Sequence, residues 1–234
     1  MVENMKDFTE EISLLFEKFQ KGAPFAFSKF ADGEWSAMHN ETLNNSEFEN
    51  TTETDEKYRG ELRAALQYQD PNYYIGTCCP CCNGDRAKKM REFSGQSESQ
   101  MTFANVFVNS NYPIYKETFL KEYSNYDVHL VANERSKFEE LPFTPEKIYK
   151  IGFSAWVNNY SLIEEIKQGN LSNKLFIFCC GPFGNMLCHQ LHEANKNNIY
   201  IDGGSTLNPW LQSEGFARDY YCEGYFADRK CVWN

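Results

Sequence analysis

Residues 27–35 read Phe-Ser-Lys-Phe-Ala-Asp-Gly-Glu-Trp, and they are the most informative stretch of the chain because an apolar run ends in two carboxylates that flank a glycine. Carboxylates at i and i+2 lie on the same side of an extended or turning backbone, and Gly33 between them allows close approach of a ligand. Asp32 and Glu34 are therefore a candidate site for Mg²⁺ or Mn²⁺, which bind hard oxygen ligands. The alternative is an Asp-Gly turn before a helix that carries Glu34 in its first turn.

A second segment far along the chain has a similar layout. Residues 174–180 form an almost purely apolar run, long enough for a strand buried on both faces, and Gly181, Pro182 and Gly184 follow it. Apolar residues at helical spacing come next, and 199–205 then form a strand that ends in an acid and two glycines. Together these segments predict a βαβ unit whose turns lie where open α/β sheets bind ligands. The glycine turn is expected to aim helix N–H groups at a phosphate.

The rest of the chain alternates predicted strands and helices. Apolar patterning predicts strands over 25–30, 73–77, 127–133 and 147–152, and helices over 8–20, 58–69 and 160–166, with another helix beginning at 35. The alternation predicts an α/β fold with a three-layer, Rossmann-like and mostly parallel sheet that carries helices on both faces. Because no linker divides the chain, we expect one domain over 1–234, with a mobile loop at 40–55 and a C-terminal extension at 213–234.

These segments resemble the bacterial GT-D-type glycosyltransferases, a family first described as a domain of unknown function. That family has an early strand running into Arg-Phe-Gly-Asp-Gly-Glu, and a late strand running into Gly-Pro, a helix and then Ile-Asp-Gly or Ile-Gly. The counterparts here are Lys-Phe-Ala-Asp-Gly-Glu at 29–34, Cys-Gly-Pro at 180–182 and Ile-Asp-Gly-Gly at 201–204. The resemblance extends over roughly residues 8–212, and it implies a GT-D-like sheet.

The resemblance implies transfer of a sugar from a nucleotide-diphosphate donor, with UDP-sugars favoured, to a saccharide or glycan acceptor. Asp32 and Glu34 occupy the Asp-X-Glu motif, which implies Mn²⁺ or Mg²⁺ there. Asp202 and Glu134, each at a predicted strand end, are equal candidates for the base that deprotonates the acceptor hydroxyl. The candidate donor-binding residues are Lys29, Phe30, Asp32, Gly33, Asn105, Asn109, Gly181, Pro182, Gly184, Gly203, Gly204 and Ser205. For Asn105 and Asn109, capping of a helix or turn is the alternative.

The chain departs from the family pattern at two places. Lys29 and Ala31 stand where Arg and Gly are usual, which keeps a cation beside the phosphates but loses the planar guanidinium fork. Ser205 and Thr206 stand where some members carry a His. Two other functions fit the same residues, namely a metal-dependent nucleotide-sugar phosphohydrolase and a non-catalytic thiol or zinc α/β module.

Nine cysteines raise the question of a metal or redox site. Cys78 with Cys81, and Cys79 with Cys82, have the C-x-x-C spacing of half a zinc site or of a redox-active pair. A structural zinc site needs four ligands. The other side chains considered as partners, none in a second C-x-x-C, are Cys179, Cys180, Cys188, His189 and His192. We therefore expect reduced thiols, with Cys179, Cys180 and Cys188 buried as small apolar residues.

Composition limits the partners. The net charge of −10 argues against a nucleic-acid surface, which requires clustered Lys and Arg. No apolar stretch approaches the length that spans a bilayer and no signal peptide is evident, so we expect no transmembrane segment and a cytoplasmic location. The strand-like tail at 220–226 is expected to pack on the sheet edge or to meet a second subunit in a homodimer.

Overall fold

The computed structural model describes residues 6–41, 55–212 and 227–234. The strands are β1 (Ala26–Lys29), β2 (Tyr73–Thr77), β3 (Met101–Phe103), β4 (Val128–Asn133), β5 (Lys147–Ile151), β6 (Leu175–Cys179) and β7 (Ile199–Asp202). The helices are α1 (Phe8–Gln20), α2 (Asp32–Met38), α3 (Glu56–Gln67), α4 (Pro80–Ser94), α5 (Tyr112–Tyr115), α6 (Ala155–Asn158), α7 (Leu162–Gln168), α8 (Pro182–Ala194) and α9 (Asn208–Leu211). A π-helical turn, Lys116–Leu120, follows α5.

The strands form one seven-stranded sheet in the order β3-β2-β1-β7-β6-β4-β5, and each neighbouring pair is parallel. From β1 the chain first builds outward through β2 and β3, and it then crosses to the other side for the remaining strands. The boundary between β1 and β7 is therefore the topological switch point. Open α/β sheets bind ligands in the crevice outside the carboxyl ends of the strands at such a point.

Helices cover both faces of this sheet. On one face, α8 packs against β1, β6 and β7, and α3 and α7 pack against α8. On the other face, α1 packs against β3 and the π-helical turn. The side chains of β1 alternate accordingly, because Ser28 contacts Asn185 of α8 while the ring of Phe27 lies 5.0 Å from that of Phe107. The predicted three-layer α/β architecture is confirmed.

Helix α1 shows how closely the local sequence can define an element. Asp7 caps its N-terminus, where the carboxylate accepts hydrogen bonds from the N–H groups of Thr9 and Glu10 at 2.8 and 3.0 Å. The apolar stripe that predicted the helix faces the core, and it consists of Phe8, Ile12, Leu15 and Phe19. The helix spans Phe8–Gln20, as the sequence predicts.

Other elements differ from the sequence prediction. Helix α4 was not predicted, because its first residues are Pro80, two cysteines and Asn83, and it buries only a narrow face. Helix α8 begins at Pro182, directly inside the glycine turn, rather than at Met186. The predicted loop at 40–55 and the tail at 220–226 fall largely outside the described residues. Within the part of the chain that the structure describes, no helix is both long and apolar enough to cross a membrane.

The packing of β2 yields a stability prediction. A Cβ added at Gly76 would lie 2.9 Å from Ala104 Cα and 3.1 Å from Phe103 O, which are backbone atoms that cannot easily move aside. We expect Gly76→Ala to lower the free energy of unfolding by about 1–3 kcal/mol in chemical denaturation. Gly60→Ala is the matched control. A Cβ added at Gly60 would have the end of the Arg63 side chain, at 3.9 Å, as its nearest neighbour. Because Gly60 lies in a helix, this substitution should raise the free energy of unfolding by about 0.5–1 kcal/mol.

Candidate functional site

The carboxyl ends of β1 and β7 meet around Lys29. Its backbone N–H donates a hydrogen bond to Asp202 Oδ2 at 3.2 Å, and its ammonium nitrogen lies 3.9 Å from Glu34 Oε2. A Cβ at Gly204 would lie 3.2 Å from Lys29 Cδ, so the lysine side chain passes directly over this glycine. Gly204 has φ +53°, a conformation that glycine adopts without strain. Residues predicted from separate segments are thus brought together at the switch point.

Asp202 is the most deeply buried acid of this site, with 2% of its surface exposed. Oδ1 accepts a hydrogen bond from Gly204 N at 3.0 Å, while Oδ2 accepts the one from Lys29. A Cβ added at Gly184 would lie 3.4 Å from Oδ1, so the first turn of α8 closes off one side of the carboxyl group. Burial raises the pKa of Asp202 to about 7, although the nearby Lys29 ammonium acts in the opposite direction.

Asp32 and Glu34 lie at the N-terminus of α2 rather than on an extended backbone. Asp32 is exposed, whereas Glu34 is buried and its Oε2 accepts a hydrogen bond from Ala31 N at 2.7 Å. Residues i and i+2 of a helix do not face each other. The expectation that both carboxylates share one side of an extended segment is therefore wrong, and the alternative of a helix with Glu34 in its first turn is the observed arrangement.

Gly33 does not need the unusual backbone conformation that the sequence suggested. Its φ is not positive, and a Cβ added there would meet nothing within 4 Å. By contrast, Gly181 has φ +57° and ψ −147°, and it precedes Pro182 at the start of α8. The turn after β6 therefore directs the N-terminus of α8 toward the same edge of the sheet. Glycine is required at Gly181 and Gly204 rather than at Gly33.

Several predicted site residues lie away from this crevice. Glu134 follows β4 and is exposed, and β6 separates β4 from β7, which puts it about 10 Å from β7 in strand spacings. The side chain of Phe30 is fully buried. Asn105 and Asn109 follow β3, where their amide nitrogens contact cysteine sulfurs. Donor binding by Phe30, Asn105 and Asn109 stays a prediction, as does the role of Glu134 as a base.

Two sets of polar residues that position the site were not predicted. Asn185, fully buried in α8, donates hydrogen bonds to Ser28 Oγ at 3.0 Å and to Lys29 O at 2.8 Å. Tyr112 and Tyr115 of α5 hold the segment after Gly204 through the carbonyl and hydroxyl groups of Thr206, at 3.1 and 3.2 Å. Of these residues, only Asn185 could have been singled out from the sequence, because it directly follows the glycine turn.

The cysteine prediction requires a correction. Cys180 and Cys188 are buried as expected, and Cys179 is half-buried. The partners considered for the 78–82 cysteines did not include Cys231. It lies beside three of them, and the Sγ atoms of Cys79, Cys81, Cys82 and Cys231 are all within 4.8 Å of one another. Cys78 lies outside this group, and burial raises the pKa of its thiol to about 12. Cys231 was missed because nothing nearby in sequence marks it as a ligand.

Comparison with known proteins adds a finding about the fold. No family model matches the sequence, and no curated protein matches it. Three solved structures do match. The first, described as a highly conserved domain of unknown function 1792 with a distinct glycosyltransferase fold, has 18% identity and a TM-score of 0.60, over 83% of this chain and 77% of that one. A selenomethionine-substituted structure of the same domain has 17% identity and a TM-score of 0.61, over 83% and 77% of the two chains.

The third structure is described as a new glycosyltransferase, of the same domain, from Streptococcus sanguinis. It has 14% identity and a TM-score of 0.58, and the match covers 83% of this chain and 80% of that chain. Seven parallel strands and helices on both faces therefore form a glycosyltransferase fold. The fold that the resemblance implied is confirmed.

Burial of Asp202 yields a pH prediction. The folded protein retains a proton up to a pKa of about 7, which the unfolded chain releases near 3.8. The free energy of unfolding should therefore fall as the pH rises from about 4 to about 7, by up to roughly 4 kcal/mol from this group. Asp202→Asn should remove this contribution, and denaturation at several pH values measures it as the difference between variant and wild type. Parallel pH profiles would contradict the raised pKa.

Proposed function

We propose that the protein is a metal-dependent glycosyltransferase that moves a sugar from a nucleotide-diphosphate donor, with UDP-sugars favoured, to a saccharide or glycan acceptor. The supporting observation is the convergence of Lys29, Glu34 and Asp202 at the switch point of a sheet with a glycosyltransferase fold. Transfer from such a donor needs positive charge for the leaving diphosphate and a base for the acceptor. This crevice brings both groups together in space, since Lys29 and Asp202 are hydrogen-bonded neighbours.

The donor diphosphate would bind beside Lys29 and the N-terminus of α8. The lysine side chain lies over Gly204 beside Glu34, so its ammonium group would supply positive charge to a phosphate bound at this edge. The helix terminus adds N–H groups and the positive end of the helix dipole. The glycine at Gly181 allows the tight turn that brings this terminus to the edge of β7.

Of the two acids assigned to Mn²⁺ or Mg²⁺, Asp32 would hold the ion directly, whereas Glu34, whose Oε2 accepts a hydrogen bond from Ala31 N, would add negative charge to the site. The exposed carboxylate of Asp32 at the start of α2 fits such an ion, which commonly takes one or two protein carboxylates and fills its other positions with phosphate oxygens and water. When bound, the ion would supply positive charge that stabilises the departing diphosphate. Glu34 already faces the Lys29 ammonium at 3.9 Å, so this carboxylate lies in a site built for positive charge.

Asp202 is better placed than Glu134 to act as the base. Its carboxyl group lies at the boundary of β1 and β7, whereas Glu134 follows a strand on the far side of β6. A pKa near 7 also suits a group that must accept a proton at neutral pH. Asp202 is almost fully buried and accepts backbone hydrogen bonds from Lys29 N and Gly204 N, so a local opening of the crevice would be needed for an acceptor hydroxyl to reach its carboxylate.

Calorimetric titration of a nucleotide panel, with UDP first, tests the donor site. We expect UDP to bind wild type with Mn²⁺. The affinity should fall at least about tenfold without metal or in Asp32→Ala, because both changes remove the positive charge of the ion from beside the phosphates. Lys29→Ala should weaken binding similarly, and Lys29→Arg should restore part of it. Glu10→Ala, an exposed acid in the first turn of α1, is the matched control and should bind as wild type does.

Binding that is equal with and without Asp32 would contradict the metal site. Absence of nucleotide binding in folded wild type would contradict the transferase proposal as a whole. Hydrolysis of a nucleotide-sugar at a rate unchanged by any saccharide would favour the phosphohydrolase instead.

Turnover kinetics test the base. With a donor that binds and a panel of saccharide acceptors, Asp202→Asn should lower kcat by about 10²- to 10⁴-fold, because the amide cannot accept the acceptor proton. Glu134→Gln should lower kcat by less than about tenfold. The opposite order of the two variants would assign the base to Glu134.

A further inference from the structure

Four cysteine side chains form a cluster beyond the carboxyl end of β2. Cys79, Cys81 and Cys82 belong to the turn that opens α4, and Cys231 comes from the C-terminal segment 227–234. Cys79 Sγ lies 3.0 Å from Cys81 Sγ and 3.1 Å from Cys82 Sγ. Across 6–41, 55–212 and 227–234, no other group of three or more Cys, His, Asp or Glu ligands is gathered as closely.

The dimensions of the cluster fit one tetrahedral ion. Zinc–sulfur bonds of about 2.3 Å in a tetrahedron place the sulfurs about 3.8 Å apart. The Sγ atoms span separations from 3.0 Å to at most 4.8 Å, so this value lies inside the observed range. Shifts of less than about 1 Å would bring the four sulfurs into a regular tetrahedral arrangement.

Hydrogen-bond donors point at the sulfurs from the surrounding structure. Such N–H donors disperse the negative charge of thiolates, and they are the outer groups that orient and support metal ligands. Three of the four sulfurs have one. The contacts are Val232 N to Cys81 Sγ at 3.3 Å, Asn109 Nδ2 to Cys231 Sγ at 3.5 Å and Asn105 Nδ2 to Cys82 Sγ at 3.7 Å.

The backbone of α4 is shaped to gather three ligands. Cys79 precedes the helix, and its carbonyl accepts hydrogen bonds from Cys82 N at 3.0 Å and Asn83 N at 3.1 Å. Asn83 then leaves the helical conformation, with φ −162° and ψ 95°, before the helix resumes. This break folds residues 79–83 into a compact turn, which lets three cysteines so close in sequence point toward a common centre.

We propose that Cys79, Cys81, Cys82 and Cys231 form a structural zinc site. Four thiolates in a closed set are typical of structural zinc rather than catalytic zinc, which keeps an open position. The guanidinium of Arg229, which donates a hydrogen bond to Cys81 O, offsets part of the net negative charge of a zinc ion with four thiolates. This site is separate from the proposed nucleotide site and does not depend on it.

The zinc would fasten the C-terminal segment to the edge of the sheet. Trp233 is buried and packs edge-on against Phe103 of β3, with ring centroids 5.0 Å apart. The Arg91 guanidinium lies 3.6 Å from the indole centroid and donates a hydrogen bond to Trp233 O at 2.7 Å. The metal would therefore cross-link α4 to a segment that already packs on α4 and β3.

Metal analysis of the full chain tests the site. Elemental mass spectrometry should find about one zinc per chain in purified wild type. The zinc content of Cys231→Ser should be at least about tenfold lower. Cys78→Ser, which alters the adjacent thiol outside the cluster, is the matched control and should keep its zinc. Co²⁺ added to metal-stripped wild type should give the charge-transfer and visible bands of a tetrahedral thiolate site, a readout that needs no variant.

Limited trypsin digestion tests the role of the metal. Removing zinc from wild type should speed cleavage after Arg229 and Lys230 about tenfold or more, while Cys231→Ser should be cleaved rapidly with or without chelator. Several results would overturn the proposal: no zinc with four freely titrating thiols, a disulfide between two of the four cysteines, iron in place of zinc, or zinc retained by Cys231→Ser. Nucleotide binding by wild type is measured separately, so either site can fail without the other.

Discussion

The hydrogen bond from the backbone of Lys29 to the buried carboxyl of Asp202 joins the two halves of the sheet where they part. The pairing of β1 with β7 is short and ends at Phe27 opposite Ile201. Beyond that point a side chain takes over from the strand ladder, because Asp202 accepts from Lys29 N on one side while Asn185 donates to Lys29 O. A crevice can therefore open at the switch point without leaving these backbone groups unpaired in the interior. The arrangement carries a free-energy cost, since a carboxyl group is held out of water.

Local elements were accessible from the sequence wherever a single physical signal dominated. Helix α1 has a capping acid and an unbroken apolar stripe, and the buried strands β4, β6 and β7 are runs too apolar to lie at a surface. The strand-end acids and glycines also predicted that Asp202 and Gly204 would meet a ligand-binding edge. The order of the strands was not accessible in the same way, because each parallel pair joins segments distant along the chain and each strand alone is compatible with several neighbours.

The failures have physical reasons as well. The Asp-Gly-Glu segment is short enough to form a turn or a helix, and the hydrogen bond from Ala31 N to Glu34, together with burial of Trp35 and Met38, favours the helix. Helix α4 lacks a broad apolar face, so periodicity does not reveal it. Cys231 contacts the other cysteines only because the C-terminal segment packs back onto β3 through Trp233. Such a contact depends on the tertiary structure and leaves no mark in local spacing.

The elevated pKa of Asp202 also means that the protein is not a single chemical species near neutrality. With a pKa of about 7, Asp202 carries its proton in a substantial share of the molecules at neutral pH and lacks it in the rest. The protonated form has an O–H group where the ionised form has only acceptors, so the two forms present different hydrogen-bonding surfaces to Lys29 and Gly204. A small change in pH near neutrality therefore shifts the proportions of two forms that differ at the centre of the sheet.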